Sequence, residues 1–287
     1  MNENTVMYQL TETSLFMMSF VIITKQNNVI VVDGGRPEDM PLLKEYVAGR
    51  HISAWILTHA HEDHISGFIS EYKKNKLGDF DVQAIYYNFP PMDIINNHDV
   101  RDYEYFKSEL LETLPSFLEI LPELNDKTRF TVQGDCIQID EVKIEFIYSY
   151  HEGLTSNLMN DSSLVFKLTT PNTSVLFLGD IGPDAGDVLY FESKDKLKSD
   201  MVQMAHHGGF CCGMEVYAAI EPKACLWCCR EESYNGTRVP KVYYNKEKMK
   251  QLGWLRMHPV TVTRRWMEQL GVKKHYVTKD GTNKIIL

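Results

Sequence analysis

The feature that most constrains this chain is a short apolar segment that runs directly into a cluster of histidines and acids. Residues 53–57 form an apolar run that predicts a buried strand. It is followed by Thr58 and the run His59-Ala60-His61-Glu62-Asp63-His64. Because alternate strand residues point to the same side, His59 and His61 can face one point at the end of the strand. We therefore expect the strand to end in a ligand-rich loop.

These residue types indicate a metal site. Zinc and similar cations take imidazole and carboxylate ligands. His59 and His61 can hold one cation. Asp63 and His64, in the turn that leads to the next helix, can reach a second. Two cations about 3.5 to 4 Å apart can clamp a bridging hydroxide and orient a phosphoryl or acyl group for attack. A surface cluster of polar residues is the alternative, but this spacing of ligand types favours the metal site.

Composition and the absence of apolar runs indicate the class of protein. The chain has 287 residues, of which 44% are hydrophobic, and this is enough for a sizeable core. No uninterrupted apolar run reaches the roughly 18 residues of a membrane span, and residues 1–4 lack the basic start of a secretory signal. We expect a cytoplasmic protein with no membrane partner.

The net charge of −9 constrains the partners. Nonspecific affinity for nucleic acid comes mainly from Lys and Arg, so we expect nucleic acid only as a substrate. A phosphorylated substrate is compatible with the acidic surface, because two bound divalent cations supply about four positive charges locally. No sequence feature indicates an oligomeric state.

The six cysteines are predicted to be free thiols. Cys225 and Cys228 have the Cys-x-x-Cys spacing of half a zinc or redox site. The sequence has no second pair of this kind to complete four ligands.

The order of predicted elements indicates two sheets with helices outside them, an α/β (α+β) fold class. Apolar runs at 16–24 and 29–32 predict an early antiparallel hairpin, and strands and helices alternate in the second half. The chain is predicted to close with a hairpin that turns at Asp280 and Gly281.

A polar-aromatic stretch follows Pro90 and Pro91. It predicts a helical insertion at about 90–125, capable of covering the site. Residues 1–287 are otherwise expected to form a single domain.

Residues 58–67 resemble the His-x-His-x-Asp-His signature of the metallo-β-lactamase superfamily. Other landmarks of that family have counterparts along the whole chain: Asp33, Asp180 and the pair His206 and His207. The resemblance implies an αββα four-layer sandwich. It also implies a ligand set: His59, His61, Asp63, His64, Asp180 and His207. In that set Asp180 bridges two divalent ions, and Asp33 supports the loop that binds them. The ions are zinc in the first place, with manganese as the alternative.

The second half of the chain most resembles the hydrolase domain of ComEC-type competence proteins and its free-standing relatives. The resemblance rests on the run Asn160-Asp161-Ser162-Ser163, on Asp180, and on the runs that begin at His206 and His258. It implies a phosphodiester substrate. The helical insertion does not fit this subgroup closely.

Many superfamily members have a further histidine where this chain has Asn160. His151 is the only histidine nearby in the sequence. The first metal is therefore completed by His151, by Asn160, or by water and substrate.

Three residues are candidates for catalysis: Asp63, His206 and His258. Gly208 matches the glycine that follows the last ligand in the family, which favours His207 as the ligand and leaves His206 to face the substrate or to pack beneath the site. His258 is either a proton donor or an ordinary neighbour of the last helix. Glu62 is expected to face solvent.

The predicted function is that of a metal-dependent hydrolase, with a phosphodiester or another small molecule such as a lactone or thioester as substrate. A redox member of the same fold, of the di-iron or persulfide-oxygenase type, is the alternative. Di-iron relatives usually have Glu at the position of His61, so His61 favours hydrolysis. A non-enzymatic binding module would require loss of metal ligands.

Overall fold

The structure is a computed structural model that describes residues 2–97, 106–124, 126–154, 157–237 and 259–287. Within these ranges the chain forms one sheet of eight strands and one of seven, which pack face to face. None of the helices in the same ranges is both long and apolar enough to cross a membrane.

The first sheet contains seven early strands and the last strand of the chain. These are β1 Val6–Gln9, β2 Ser19–Ile23, β3 Val29–Asp33, β4 His51–Ile56, β5 Asp81–Val82, β6 Ile85–Tyr87, β7 Thr128–Phe130 and β15 Asn283–Ile286. Their order is β15-β1-β2-β3-β4-β6-β7, and β5 also pairs with β4. The strands from β15 to β3 are antiparallel neighbours, and those from β3 to β7 are parallel.

The second sheet contains the remaining strands. These are β8 Cys136–Ile139, β9 Val142–Tyr148, β10 Val165–Thr169, β11 Ser174–Phe177, β12 Met201–Gln203, β13 Ala224–Trp227 and β14 Lys274–Val277. Their order is β14-β13-β12-β11-β10-β9-β8. β8 to β11 are antiparallel and β11 to β14 are parallel, so the parallel half needs connections that cross over the sheet.

Helices cover the outer faces of both sheets. They are α1 Met40–Val47, α2 Glu62–Asn75, α3 Met92–Asn97, α4 Phe106–Ile120, α5 Leu158–Asp161, α6 Pro183–Ser193, α7 Met214–Ile220, α8 Glu231–Tyr234 and α9 Pro259–Gln269. α1, α2 and α4 pack on the first sheet, and α6, α7 and α9 pack on the second.

Strand β2 shows how the layers arise from the sequence. Phe20 and Ile22 lie in the core between the two sheets. Val21 and Ile23 lie in the core between the first sheet and its helices. Successive strand residues point to opposite faces, so an uninterrupted apolar strand fills two cores at once. The resulting layers, helix, sheet, sheet and helix, confirm the predicted αββα sandwich.

The first predicted strand begins too early. Residues 16–24 were expected to be extended and buried, but β2 starts at Ser19. Leu15 is 48% exposed, and Phe16 lies in a loop beside the second sheet. Apolar composition predicted burial here, whereas the chain uses these residues in the connection from β1 to β2.

The predicted terminal hairpin is wrong. The two strands on either side of Asp280 and Gly281 belong to different sheets: β14 pairs with β13, and β15 pairs with β1. The short helical turn Thr278–Asp280 carries the chain from one sheet to the other.

Part of the expected insertion is described. α3 and α4 lie within it, and the buried residues Leu114 and Phe117 of α4 pack against α2 and the first sheet. That residues 1–287 form a single domain stays a prediction.

Candidate metal centre

The histidine run lies between a strand and a helix. β4 ends at Ile56 and α2 begins at Glu62, with His61 as the residue that caps the helix. His59 and His61 face each other, with 3.0 Å between Nε2 of His59 and Nδ1 of His61. The prediction that they lie close together on one side is thus matched by the geometry of the connecting loop.

Asp63 and His64 lie in the first turn of α2, and not in a turn before it as predicted. The first amides of a helix lack partners and carry partial positive charge, which favours a carboxylate such as Asp63 there. The helix also fixes the distance between Asp63 and His64, because both belong to one rigid turn.

Asp33 orients the ligand loop from the end of β3. Its carboxylate accepts hydrogen bonds from the N–H of Thr58 (2.7 Å) and from Oγ1 of Thr58 (2.7 Å). It also bonds to Nδ1 of His64 (2.7 Å). This contact assigns the Nδ1 proton of His64 to the Asp33 side, so that Nε2 points into the site as a possible ligand atom.

Asp180 lies at the centre of the cluster. Its Oδ2 is 4.0 Å from Nε2 of His59, 3.4 Å from Nε2 of His64 and 3.5 Å from Nε2 of His207. The backbone N–H of Asp180 donates to Oγ of Ser163 (3.0 Å), which fixes the turn after β11.

His207 comes from a turn with unusual backbone geometry. His206 and His207 have φ values of 50° and 55°, and Gly208 has φ 86°. Such left-handed conformations are uncommon for residues other than glycine. The turn directs Nδ1 of His207 to the carbonyl oxygen of Cys228 (2.7 Å) and Nε2 to Oδ2 of Asp63 (3.0 Å).

His206 and His207 have different surroundings, as expected from their adjacent positions. Nε2 of His207 faces two carboxylates, whereas Nδ1 of His206 is buried without a hydrogen-bond partner among the described residues. Burial lowers the pKa of His206. This geometry agrees with His207 as the ligand and leaves His206 a neutral ring beside the site.

Burial and charge divide the other histidines into two groups. Burial lowers the pKa of His59 well below its ordinary value and that of His61 to about 4. Burial also acts against protonation of His64 and His207, but the carboxylates of Asp180 and Asp63 outweigh it and raise the pKa of both rings. Without a cation, protonation is therefore favoured at His64 and His207 over His59 and His61.

The acids respond to the same partners. Burial would raise the pKa of Asp63 and Asp180, but His64 and His207 hold both below the usual range, so both are ionised. Burial raises the pKa of Asp33, against the opposing effect of its bonds from His64 and Thr58.

The donor set fits divalent cations. Two groups each bring three ligand atoms within 4.8 Å of one another, namely His59, His64 and Asp180, and Asp63, His64 and His207. Nε2 of His64 and Oδ1 of Asp180 are buried and have no hydrogen-bond partner in the described parts of the chain. Buried polar atoms are normally paired, so these atoms are the ones that a cation would satisfy.

The other candidates are placed as follows. His151 is 48% exposed at its side chain, pairs with Glu192 (3.5 Å) and belongs to neither group of ligand atoms. Asn160 is buried, donates to Oδ1 of Asn157 (2.9 Å) and has an unpaired Oδ1. His258 lies outside the described residues.

The carboxylate of Glu62 is engaged in an ion pair. It pairs with Arg36, which also donates through Nε to the carbonyl oxygen of Phe16 (3.2 Å). Thr58 and Ser163 are contacts that the sequence did not predict; their only signal was a position inside runs that resemble the family motifs.

The Cys-x-x-Cys spacing does not make a metal site. Cys225 packs in the core under the helices of the second sheet, and Cys228 packs in the core between the sheets. Both thiols are free, as predicted.

Comparison with known proteins identifies the fold of this chain. Residues 16–76 match the model of the metallo-beta-lactamase superfamily. A metallo-beta-lactamase fold protein, YhfI from Bacillus subtilis, aligns over 99% of this chain and 100% of its own, with 11% identity and a TM-score of 0.55. The chain has the metallo-β-lactamase fold.

Two further solved structures are similar to this chain. A mutant of CmlA beta-hydroxylase aligns over 100% of this chain and 54% of its own, with 11% identity and a TM-score of 0.54. A diphosphatase from the PhnP family covers 99% of this chain and 98% of its own, with 13% identity and a TM-score of 0.49. No curated protein sequence matches the chain significantly. At sequence identities this low, the similarity shows a shared fold alone.

Proposed function

We propose that this chain is a metal-dependent hydrolase that uses two divalent cations. The observation that carries the proposal is the pair of ligand groups that share His64. Asp180 would serve both cations, and the support is its carboxylate, which lies 3.4 to 4.0 Å from Nε2 of three histidines. Zinc is the first candidate for this His/Asp set and manganese the second.

The chain's own residues would hold and orient the reactants. His59 and Asp180 would hold one cation together with His61, which belongs to neither ligand group but has its Nδ1 3.0 Å from Nε2 of His59. Asp63, His64 and His207 would hold the other, again with Asp180. Bound divalent cations supply Lewis acidity, which lowers the pKa of water and neutralises developing charge on a substrate. Asp33 keeps His64 in the tautomer that presents Nε2, and neutral His206 offers a hydrogen bond to the substrate.

The substrate we propose is a phosphodiester. The support is the resemblance of residues 160–165, 178–180 and 206–208 to the ComEC-type hydrolase domain and its free-standing relatives. With Asn160 in place of a histidine, the first cation would keep open positions for water or substrate, as catalytic metal sites require. We further propose a single cytoplasmic domain, with His258 as proton donor.

A redox activity is the second candidate. The chain shares its fold with a structure named as a beta-hydroxylase. The ligand set argues against this reading, because His61 occupies the position that is usually Glu in the di-iron relatives. Iron content and the visible spectrum of the purified protein distinguish the two: stoichiometric iron with a charge-transfer band would overturn hydrolysis.

The test is metal analysis followed by assay of the zinc- or manganese-loaded protein against phosphodiesters, lactones, thioesters and β-lactams. His61→Ala and Asp180→Ala should lose bound metal and reduce hydrolysis to background. His51→Ala is the matched control, because the half-exposed His51 pairs with Asp81 and lies at the start of β4, the opposite end of that strand from the ligand loop. If both site variants kept wild-type metal content and activity, the proposal would be wrong.

A further inference from the structure

Residues 157–164 link the two loops that carry the candidate ligands. The backbone N–H of Leu164 donates to the carbonyl oxygen of Thr58 (2.9 Å), just before the first histidine of the run. The N–H of Asp180 donates to Oγ of Ser163 (3.0 Å). One short segment therefore contacts both the histidine loop and the backbone of Asp180.

Asp161 makes a third contact from this segment. Its Oδ1 accepts the backbone N–H of Gly182 (2.8 Å). Gly182 immediately precedes α6, which begins at Pro183, just after Asp180. Amides at a helix N-terminus lack partners within the helix and favour a carboxylate. Asp161 therefore caps α6 from another element.

The backbone of Asp161 is itself held in place. The residue is 1% exposed, and its carbonyl oxygen accepts a hydrogen bond from Oη of Tyr148 (2.6 Å). Its N–H donates to the carbonyl oxygen of Asn157 (2.8 Å). A Cβ built on Gly182 would lie 3.0 Å from Oδ1 of Asp161, so the carboxylate packs directly against the backbone.

We infer that Asp161 is a positioning residue for the metal centre. Ser163 holds the amide of Asp180, and Asp161 holds the amide of Gly182, so the turn that presents the Asp180 carboxylate is fixed on both sides. Asp161 acts on the cations through this turn. The inference rests on the proposed function in one respect, that Asp180 is a ligand.

The experiment measures Co²⁺ binding by the full chain through its visible absorption. Asp161→Ala removes the acceptor and should weaken Co²⁺ binding by roughly 10- to 100-fold, the usual effect of removing a group that orients a ligand, with a changed spectrum. Asp161→Asn keeps an oxygen for the Gly182 amide and should restore most of the affinity and the spectrum. A merely structural cap would change neither.

The control is Asp200→Ala. Asp200 also accepts a backbone amide, the N–H of Ser174 (2.9 Å), but at the opposite end of β11 from the site. The Asp200→Ala variant should be less stable than the wild type and should keep wild-type Co²⁺ binding. A folded Asp161→Ala protein with the wild-type isotherm and spectrum would overturn the inference.

A second variant tests the same contact if Asp161→Ala does not fold. Gly182→Ala places a methyl group 2.7 Å from Nδ2 of Asn157 and 3.0 Å from Oδ1 of Asp161. We expect weaker Co²⁺ binding again, and unchanged binding would overturn the inference.

The inference and the proposed function fail separately. If Asp180→Ala abolishes Co²⁺ binding and Asp161→Ala weakens it, but no substrate is hydrolysed, the positioning role stands and the hydrolase proposal fails. If hydrolysis is found and Asp161→Ala binds Co²⁺ normally, the hydrolase proposal stands and the positioning role fails.

Discussion

At the scale of single residues, the centre is a group of buried charges arranged around a few unpaired atoms. The pKa values of Asp63 and Asp180 are lowered and those of His64 and His207 are raised, so these four side chains favour their charged forms when no cation is present. Buried polar atoms without a hydrogen-bond partner lower the free energy of unfolding. The residues around these atoms must therefore be held in place by their own hydrogen bonds. Thr58 and Asp161 are two of the residues that hold them.

The hydroxyl of Thr58 is a direct test of this support. Thr58 is fully buried, and its Oγ1 donates to Oδ2 of Asp33. Thr58→Val keeps the shape and removes the donor, so the free energy of unfolding should fall by about 1–3 kcal/mol. Thr58→Ser keeps the donor and serves as the comparison in urea unfolding. Equal losses in the two variants would mean that the methyl group, and not the hydrogen bond, stabilises the loop.

The carboxyl group of Asp161 predicts a pH dependence of stability. Burial raises its pKa to about 7, so between about pH 4 and 7 the folded protein holds a proton that the unfolded chain releases. Stability from this group is present at low pH and is lost as the pH rises towards 7, with a slope of at most about 1.4 kcal/mol per pH unit.

Asp161→Asn cannot titrate. The difference in free energy of unfolding between wild type and Asp161→Asn, measured on metal-free protein from pH 4 to 8, should therefore shift in favour of the variant as the pH rises. A constant difference over this range would contradict the raised pKa.

At the scale of elements, the sequence predicted the faces of strands better than the positions of helices. The first turn of α2 was expected to begin after His64, because the ligand run was assigned to a turn. α6 was not predicted, since its buried residues are mostly small and its apolar spacing is weak: Ala185, Gly186, Leu189 and Ser193. Helix periodicity is informative only when large apolar residues recur on one face.

The left-handed turn before α7 offers a test at this scale. A Cβ on Gly208 would lie 2.4 Å from the Trp227 ring, at φ 86°. Gly271 has a similar φ of 78° with nothing within 4 Å of its Cβ position. Gly271→Ala should cost about 1 kcal/mol from backbone strain alone, and Gly208→Ala should cost several kcal/mol more, because a rigid ring must move.

The two glycine variants are compared by thermal and urea unfolding. Gly208→Ala should also weaken metal binding, because His207 precedes it. Similar stability losses in both variants would show that the Trp227 ring can move aside at little cost in free energy.

At the scale of the whole molecule, the candidate ligands come from both halves of the sandwich. His59 to His64 follow the first sheet, whereas Asp180 and His207 follow strands of the second. A bound cation would therefore link the two halves. Because the ligand set is assembled only in the folded state, binding energy adds to folding stability.

Metal should accordingly stabilise the whole chain. Zinc at about 100 times its dissociation constant should raise the free energy of unfolding by about 2.7 kcal/mol, and removal by a chelator should reverse this. Asp180→Ala should abolish the rise in Tm, and His51→Ala should preserve it. A wild-type Tm that does not respond to zinc would contradict a site that forms on folding.

The layered architecture and part of the site could be predicted from the sequence. Spacing within residues 59–64 brought four candidate ligands together, because it is local. Asp180 and His207 entered only through resemblance, since spacing does not report which distant loops meet. The partner of β15 was missed for the same reason: apolar alternation indicates the face of a strand and not its neighbour.

The pairing of β1 with β15 places Val6 opposite Ile286. During synthesis, β1 therefore leaves the ribosome long before the strand that covers its outer edge. Until β15 arrives, that edge presents unpaired amides and carbonyls to other chains. The nascent protein should be most prone to aggregation at this stage, and an intermediate lacking β15 should be a substrate for chaperones.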